Sequence, residues 1–132
     1  MPRIFRIILP VSDIDHAARF YSALLVQSGQ RVSPGRHYFT CGGVILACFD
    51  PRRDGDAFDA SPNPDHIYFA VPDLEAVFNR ARDLDCRKLD PQIKTRPWGE
   101  RSFYAHDPFG NPLCFVDDQT LFTGVPNPDP KL

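Results

Sequence analysis

Two side chains with useful chemistry, Arg6 and His66, stand 60 positions apart in the sequence. Histidine titrates near neutrality, so His66 could transfer a proton or contact a ligand directly. Arginine stays charged and presents a fork of N–H donors, so Arg6 could receive the carboxylate, phosphate or enolate of a ligand. Both also have structural interpretations. His66 could be a cavity-lining or core histidine that is hydrogen-bonded to a neighbour. Arg6 could form an ion pair with Glu100 or an aspartate, or its guanidinium could be exposed at the mouth of a cavity.

Composition excludes several other classes of function. The net charge of -2 gives no basic footprint for nucleic acid. No apolar run approaches the roughly 20 residues that span a bilayer, and no signal peptide is recognisable, so we expect a cytoplasmic protein without membrane contact. The four cysteines lack Cys-x-x-Cys spacing and indicate reduced thiols rather than structural zinc. The sequence contains no glycine-rich phosphate loop, Ser-His-Asp set or close carboxylate pair.

Arg6 and His66 correspond because the second half of the chain repeats the first. With a shift of 60 residues, 7–15 lies over 67–75. Each segment is a short apolar run followed by Val-x-Asp-Ile/Leu-Asp/Glu and an amphipathic stretch. A repeat of so long a period indicates a duplicated supersecondary unit. The length of 132 residues is that of one domain.

Hydrophobic periodicity predicts the same order of elements, β-α-β-β-β, in each half. In the first half the predicted elements are a strand at 3–11, a helix at 13–25 and strands near 30–33, 36–41 and 43–50. In the second half they are a strand at 66–71, a helix at 73–84 and strands near 87–94, 101–106 and 112–117. Residues 50–65 are expected to link the halves. The proline-rich tail, 119–132, is expected to lie on the surface or to be disordered.

Three motifs give this repeat a family resemblance. They are Val-Ser-Asp-Ile…Arg-Phe-Tyr at 11–21, Arg-Pro-Trp-Gly-Glu-Arg-Ser-Phe at 96–103 and Asp-Pro-Phe-Gly-Asn-Pro-Leu at 107–113. Over about 3–118 the chain resembles the glyoxalase, bleomycin-resistance and extradiol-dioxygenase (vicinal oxygen chelate) superfamily, most of all its bleomycin-resistance-type members. The resemblance implies an α+β fold of two tandem βαβββ modules, about 3–50 and 65–118. Their curled half-barrel sheets would surround a cavity, and two chains would form a homodimer.

Enzymes of that superfamily hold a divalent metal through up to four His, Gln or Glu side chains. The ligands come from the first and last strand of each module. The resemblance places four residues at these positions: Arg6, Leu46, His66 and Cys114. Only His66 is a good ligand, because Arg6 carries a positive charge and Leu46 has no donor atom. A shift of one in the last strands would substitute Ala47 and Phe115, which add no donor. We therefore predict neither metal nor cofactor.

Two further features of the sequence bear on ligand binding. The resemblance places the Pro-Trp-Gly turn at the mouth of the cavity, where Trp98 could stack on a flat ligand beside Arg96 or Arg101. The alternative for Trp98 is to cap the barrel end or to form a dimer contact. Among the strand aromatics, Tyr68 is a candidate ligand platform. The turn 107–111 combines Asp, Pro, Gly and Asn, which is typical of a structural turn.

Three functions are compatible with these residues. The leading one is a metal-free small-molecule binding or sequestration protein of the bleomycin-resistance-like type, for an aromatic or amphipathic ligand and with no catalytic residue. Its ligand contacts are predicted to be Arg6, Leu46, His66, Tyr68, Trp98, Arg101 and Cys114. The alternative is a glyoxalase- or dioxygenase-related lyase, isomerase or oxygenase with an atypical or absent metal site and His66 as acid or base. The third is a dimeric scaffold with a filled cavity.

Overall fold

The computed structural model describes residues 1–123, in which the predicted β-α-β-β-β order occurs twice. The first unit comprises β1 (Arg6–Pro10), α1 (Ile14–Leu25), β2 (Gln30–Ser33), β3 (Arg36–Cys41) and β4 (Val44–Phe49). The second comprises β5 (Ile67–Val71), α2 (Leu74–Arg82), β6 (Lys88–Leu89), β7 (Lys94–Thr95), β8 (Arg101–His106) and β9 (Pro112–Asp117). The single strand expected at 87–94 is thus two short strands, with Pro91, which has no N–H to donate, between them.

Each unit folds into one open, curled sheet with the same topology. The first sheet has the order β1-β4-β3-β2, and the second has the order β5-β9-β8-β6, with β7 also paired to β8. In both sheets the first strand runs parallel to the last, and the remaining pairs are antiparallel. Gly42 and Gly43 form the β3–β4 hairpin with φ of 55° and 87°, a left-handed conformation that favours glycine. The α+β architecture predicted from the repeat is confirmed.

Aspartates start both helices, as the repeated Val-x-Asp motif predicts. The Asp13 carboxylate accepts hydrogen bonds from the backbone N–H groups of Asp15 and His16, and the Asp73 carboxylate accepts one from Ala76. The apolar faces of α1 and α2 pack on one face of each sheet and form one continuous core with residues of both units. The helices also contact each other. None of the helices within residues 1–123 is long and apolar enough to cross a membrane.

A buried carboxylate, Asp107, joins the two units. It is fully buried in the β8–β9 turn and accepts a 2.6 Å hydrogen bond from the Tyr21 hydroxyl on α1. It also accepts hydrogen bonds from the backbone N–H groups of Phe109 and Asn111 and from the Asn111 side chain. Asn111 in turn donates to the Pro10 carbonyl at the end of β1, at 2.7 Å. The turn expected to be structural therefore anchors the first unit to the second.

Replacing Tyr21 with Phe tests this anchor. Burial and the nearby Asp107 carboxylate raise the pKa of Tyr21 well above its usual value, so the hydroxyl remains a donor at all ordinary pH. We expect Tyr21→Phe to lower the free energy of unfolding by about 1.5–3 kcal/mol, because a buried carboxylate loses one of its donors. Urea denaturation followed by circular dichroism measures the change. Tyr38→Phe, on an open sheet face, is the control. Equal, small effects of both substitutions would contradict the proposed role of Asp107.

Candidate functional site

Each sheet has one face on the helices and one face without a covering element within the described residues. Strand alternation and register determine which side chains share the uncovered faces. We call the set on the first sheet the first open face: Arg6, Ile8, Tyr38, Thr40 and Ala47. We call the set on the second sheet the second open face: His66, Tyr68, Ser102, Tyr104, His106 and Cys114. The two faces are equivalent under the repeat, but their side chains differ.

Arg6 dominates the first open face. Its guanidinium carbon lies 4.8 Å from the ring centroid of Phe5 and 5.1 Å from that of Tyr38. Within residues 1–123 no carboxylate pairs with it, so the ion pair considered as its structural role is not formed. Glu100, one suggested partner, instead accepts hydrogen bonds from Trp98 Nε1 and the Phe122 backbone N–H. Arg6 is an exposed cation against aromatic rings.

His66 lies within an aromatic group on the second open face. Its ring is 4.9 Å from that of Tyr104, in an edge-on arrangement, and 6.3 Å from the rings of both Tyr68 and His106. Burial, followed by the neighbouring Lys88 and His66, lowers the pKa of His106. Burial is also the main cause of the raised pKa of Tyr104, which keeps its hydroxyl protonated near neutrality. This face therefore presents hydrogen-bond donors and rings, without an ionised acceptor.

Arg96 also belongs to the second open face, although the sequence favoured Arg101 as a contact. The Arg96 guanidinium lies 4.6 Å from the Tyr104 ring centroid. Its Nε donates to Ser102 Oγ at 2.8 Å, and its terminal nitrogen lies 3.2 Å from an Asp90 carboxylate oxygen. The sequence feature that indicated Arg96 was its position directly before Pro-Trp-Gly. No pattern in the sequence indicated that Arg96 would pair with Asp90.

Arg101 points away from this face. It donates to the Asp117 carboxylate at 2.7 Å and to the Glu75 carboxylate in the first turn of α2. These hydrogen bonds, that to Glu75 first, raise the pKa of Arg101, and both ends of the guanidinium are engaged. Trp98 lies on the exposed turn between β7 and β8, with Nε1 donating to Glu100 at 2.7 Å. The structure brings neither Arg101 nor Trp98 into contact with the His66 group.

The predicted contact Leu46 lies on the opposite side of its sheet. Leu46 pairs with Ile7 in the β1–β4 ladder and is buried in the core against the helices. The open-face position belongs to Ala47, which pairs with Ile8. Since Ile8 is equivalent to Tyr68, whose ladder partner is Cys114, Ala47 is the counterpart of Cys114. The sequence alignment of the last strand of the first module was thus shifted by one residue.

With Ala47 in place of Leu46, the four positions do not fit a divalent metal. Arg6 is a permanent cation, and Ala47 offers no donor. Burial raises the pKa of the Cys114 thiol to about 11, so it does not supply a thiolate near neutrality. His66 is then the one good donor of the set. Across the described residues, no three His, Cys, Asp or Glu side chains are placed to share an ion.

Comparison with known proteins agrees with the fold. Residues 3–115 match the sequence model of the Glyoxalase/Bleomycin resistance protein/Dioxygenase superfamily. Comparison with curated proteins finds no significant match. A glyoxalase-related enzyme from Fulvimarina pelagi is similar in structure, with a TM-score of 0.75 and 18% identity over 90% of each chain.

A second similar structure is a lactoylglutathione lyase from Agrobacterium tumefaciens. It has a TM-score of 0.69 and 23% identity over 89% of this chain and 94% of that one. Identity this low carries the fold and not the activity. The sequence match over residues 3–115 identifies the family, and the structural similarities agree with its fold. The chain belongs to the glyoxalase/bleomycin resistance protein/dioxygenase superfamily.

Proposed function

We propose that the chain is a metal-free small-molecule binding protein, bleomycin-resistance-like in type, and that its ligand is an aromatic or amphipathic anion. One observation carries the proposal: Arg6, which the resemblance equates with a metal-ligand position, is a cation beside the rings of Phe5 and Tyr38 with no carboxylate partner in residues 1–123. A ligand carboxylate would complete the hydrogen bonding of this guanidinium. A flat ligand body would then lie against the neighbouring aromatic and aliphatic side chains.

The residues of the second open face support the same ligand class. Tyr68 is 61% exposed, which leaves a large aromatic surface for contact. His66 and Tyr104 offer polar edges next to it. Ligand sites generally combine such apolar surface with a few polar groups that fix orientation. Of the contacts predicted from the sequence, Arg6, His66, Tyr68 and Cys114 enter this proposal, whereas Leu46, Trp98 and Arg101 do not.

An enzyme is the second candidate function. The structural neighbours named lactoylglutathione lyase and glyoxalase-related enzyme suggest it, and the adjacency of His66 and His106 on an open face favours it. In this version His66 acts as acid or base without a metal. The absence of a suitable donor set at Arg6, Ala47 and Cys114 places this candidate behind binding.

We also propose that the protein is a homodimer in which a second copy covers the open faces. Strands β1 and β5 are the edge strands of their sheets, and on β1 the carbonyls of Ile8 and Pro10 accept hydrogen bonds from the side chains of Asn63 and Asn111. Exposed apolar side chains accompany both edges, among them Phe5 at 51%, Ile8 at 37% and Tyr68 at 61%. Their burial by a second copy would remove apolar surface from water. The repeat gives the two sheets the same backbone pairing, which suits a symmetric arrangement of two copies.

Substitution of Arg6 tests the ligand class. Arg6→Met should weaken the binding of naphthoate by about tenfold or more, because a charge-assisted contact is worth about 1.5–3 kcal/mol. The binding of the uncharged naphthalenemethanol should change little. Isothermal titration calorimetry measures both. Arg19→Met is the matched control, since Arg19 is an exposed arginine on α1 that forms no ion pair within residues 1–123. Equal effects of the two substitutions on naphthoate would remove Arg6 from the site.

Titration with zinc, nickel, manganese and iron(II) tests the absence of a metal site. We expect no stoichiometric metal after dialysis and no rise in the melting temperature, because the donor set is incomplete. Elemental analysis and thermal unfolding are the measurements. Assay of lactoylglutathione formation in the same samples should show no turnover. Stoichiometric metal with a raised melting temperature, or metal-dependent turnover, would place the enzyme function first.

Substitution at the β1 edge tests the dimer. Phe5→Asp should shift the protein from dimer to monomer in sedimentation velocity, because it places a charge in the proposed apolar contact. Phe58→Asp is the control, since Phe58 is 56% exposed but lies in the connection between the modules. If the unsubstituted protein sediments as a monomer at micromolar concentration, the dimer proposal is wrong.

A further inference from the structure

A groove at the far edge of the second sheet extends beyond the ligand contacts named in the proposed function. It has a volume of about 420 Å³ and is lined by Lys88, Leu89, Asp90, Tyr104, Ala105 and His106. That volume is within the range of small-molecule sites. The groove adjoins the His66 group, because Tyr104 and His106 belong to both.

Two cationic or potentially cationic side chains, Lys88 and His106, line this groove, and a third, His66, borders it. Lys88 pairs directly with His106 across the β6–β8 ladder, so their side chains emerge side by side on the open face. The His66 ring lies 6.3 Å from that of His106. Like charges placed opposite each other on a sheet destabilise it. Lys88 is accordingly, after burial, among the causes that lower the pKa of His106, and a bound anion would favour the protonated imidazole.

Within residues 1–123 no carboxylate is available to do so. Lys88, His66 and His106 form no ion pair with any described acidic residue. Asp90, the acidic residue that lines the groove, is already engaged. It accepts hydrogen bonds from Arg96 and from the Tyr104 backbone N–H, at 3.2 Å and 2.9 Å. The side chains left uncommitted are donors and cations.

We propose that this groove is an oxyanion site, in which Lys88 and His106 bind a carboxylate or phosphate group and His66 borders it. The proposal rests on the proposed function for the idea that the open faces bind a ligand. It deepens that function, because it adds a second anionic group to the ligand, remote from Arg6. The Tyr104 ring at the same groove offers an apolar surface for whatever carries the anion.

The four histidines of the chain allow a direct test by proton NMR. Inorganic phosphate is titrated into the protein at constant ionic strength and at a pH below the usual histidine value of about 6.5, because the pKa of His106 is lowered by burial and by Lys88. The ring signals of His66 and His106 should shift saturably. Those of His16, which binds Asp85, and His37, which is buried against the Ser28 carbonyl, should not. Acetate and benzoate titrations distinguish the source of the oxyanion. A preference for benzoate indicates an organic carboxylate, and a preference for phosphate indicates a phosphate group.

Variants separate this site from the one at Arg6. Lys88→Gln should weaken the phosphate titration by about threefold or more, the scale of one partly exposed ion pair. Lys94→Gln, an exposed lysine of the same sheet, should leave it unchanged. Arg6→Met should also leave it unchanged while it weakens naphthoate binding. If only the naphthoate result fails, the proposed function is wrong and the groove remains. Equal shifts at all four histidines, or a Lys88→Gln titration like that of the unsubstituted protein, would overturn the oxyanion site.

Discussion

The hydrogen bonds of Asp107 are the constraint on which the arrangement of the two modules depends. A fully buried carboxylate is tolerated only when donors surround it, and here they come from α1 and from its own turn. Through Asn111 the same network holds the carbonyl at the end of β1, the strand that begins with Arg6. The placement of the first open face beside the second module is therefore fixed by polar contacts in the core, away from either face. Side chains on the open faces can change without loss of this anchor.

Equivalent positions of the repeat show how much the side chains of the two open faces differ. Equivalent positions hold Arg6 and His66, Ile8 and Tyr68, Ala47 and Cys114, and Thr40 and His106. The backbone ladders are the same in the two sheets, whereas the charge, size and donor capacity of the side chains differ. One face is apolar with a single cation, and the other is aromatic with imidazoles. A divalent metal needs several O or N donors, and Arg6 and Ala47 of the first open face supply none, which agrees with the proposed metal-free function.

The sequence predicted the backbone better than the orientation of its side chains. The structure contains the 60-residue repeat, the capping aspartates and the 107–111 turn. The repeat is visible by comparing the two halves, and the caps and the turn depend on residues close together in the sequence. Leu46 was assigned to the wrong face because β4 is apolar on both sides, so hydrophobicity does not reveal its alternation. The structure also directs Arg96, and not Arg101, toward the second open face. Which arginine faces the site depends on carboxylates at Glu75, Asp90 and Asp117, which are distant in sequence or separated by turns.

The proposed dimer and the proposed ligand site depend on each other physically. In a single chain Arg6 is exposed to water, where its attraction for an anion is screened and weak. Cover by a second copy would lower the local dielectric and strengthen both this contact and the neighbouring cation–π contacts. An unpaired guanidinium under such cover would be costly without an anion, so binding of the ligand would in turn stabilise the dimer. Under the proposed function, the ligand would supply the negative charge that no carboxylate of the described chain provides to Arg6.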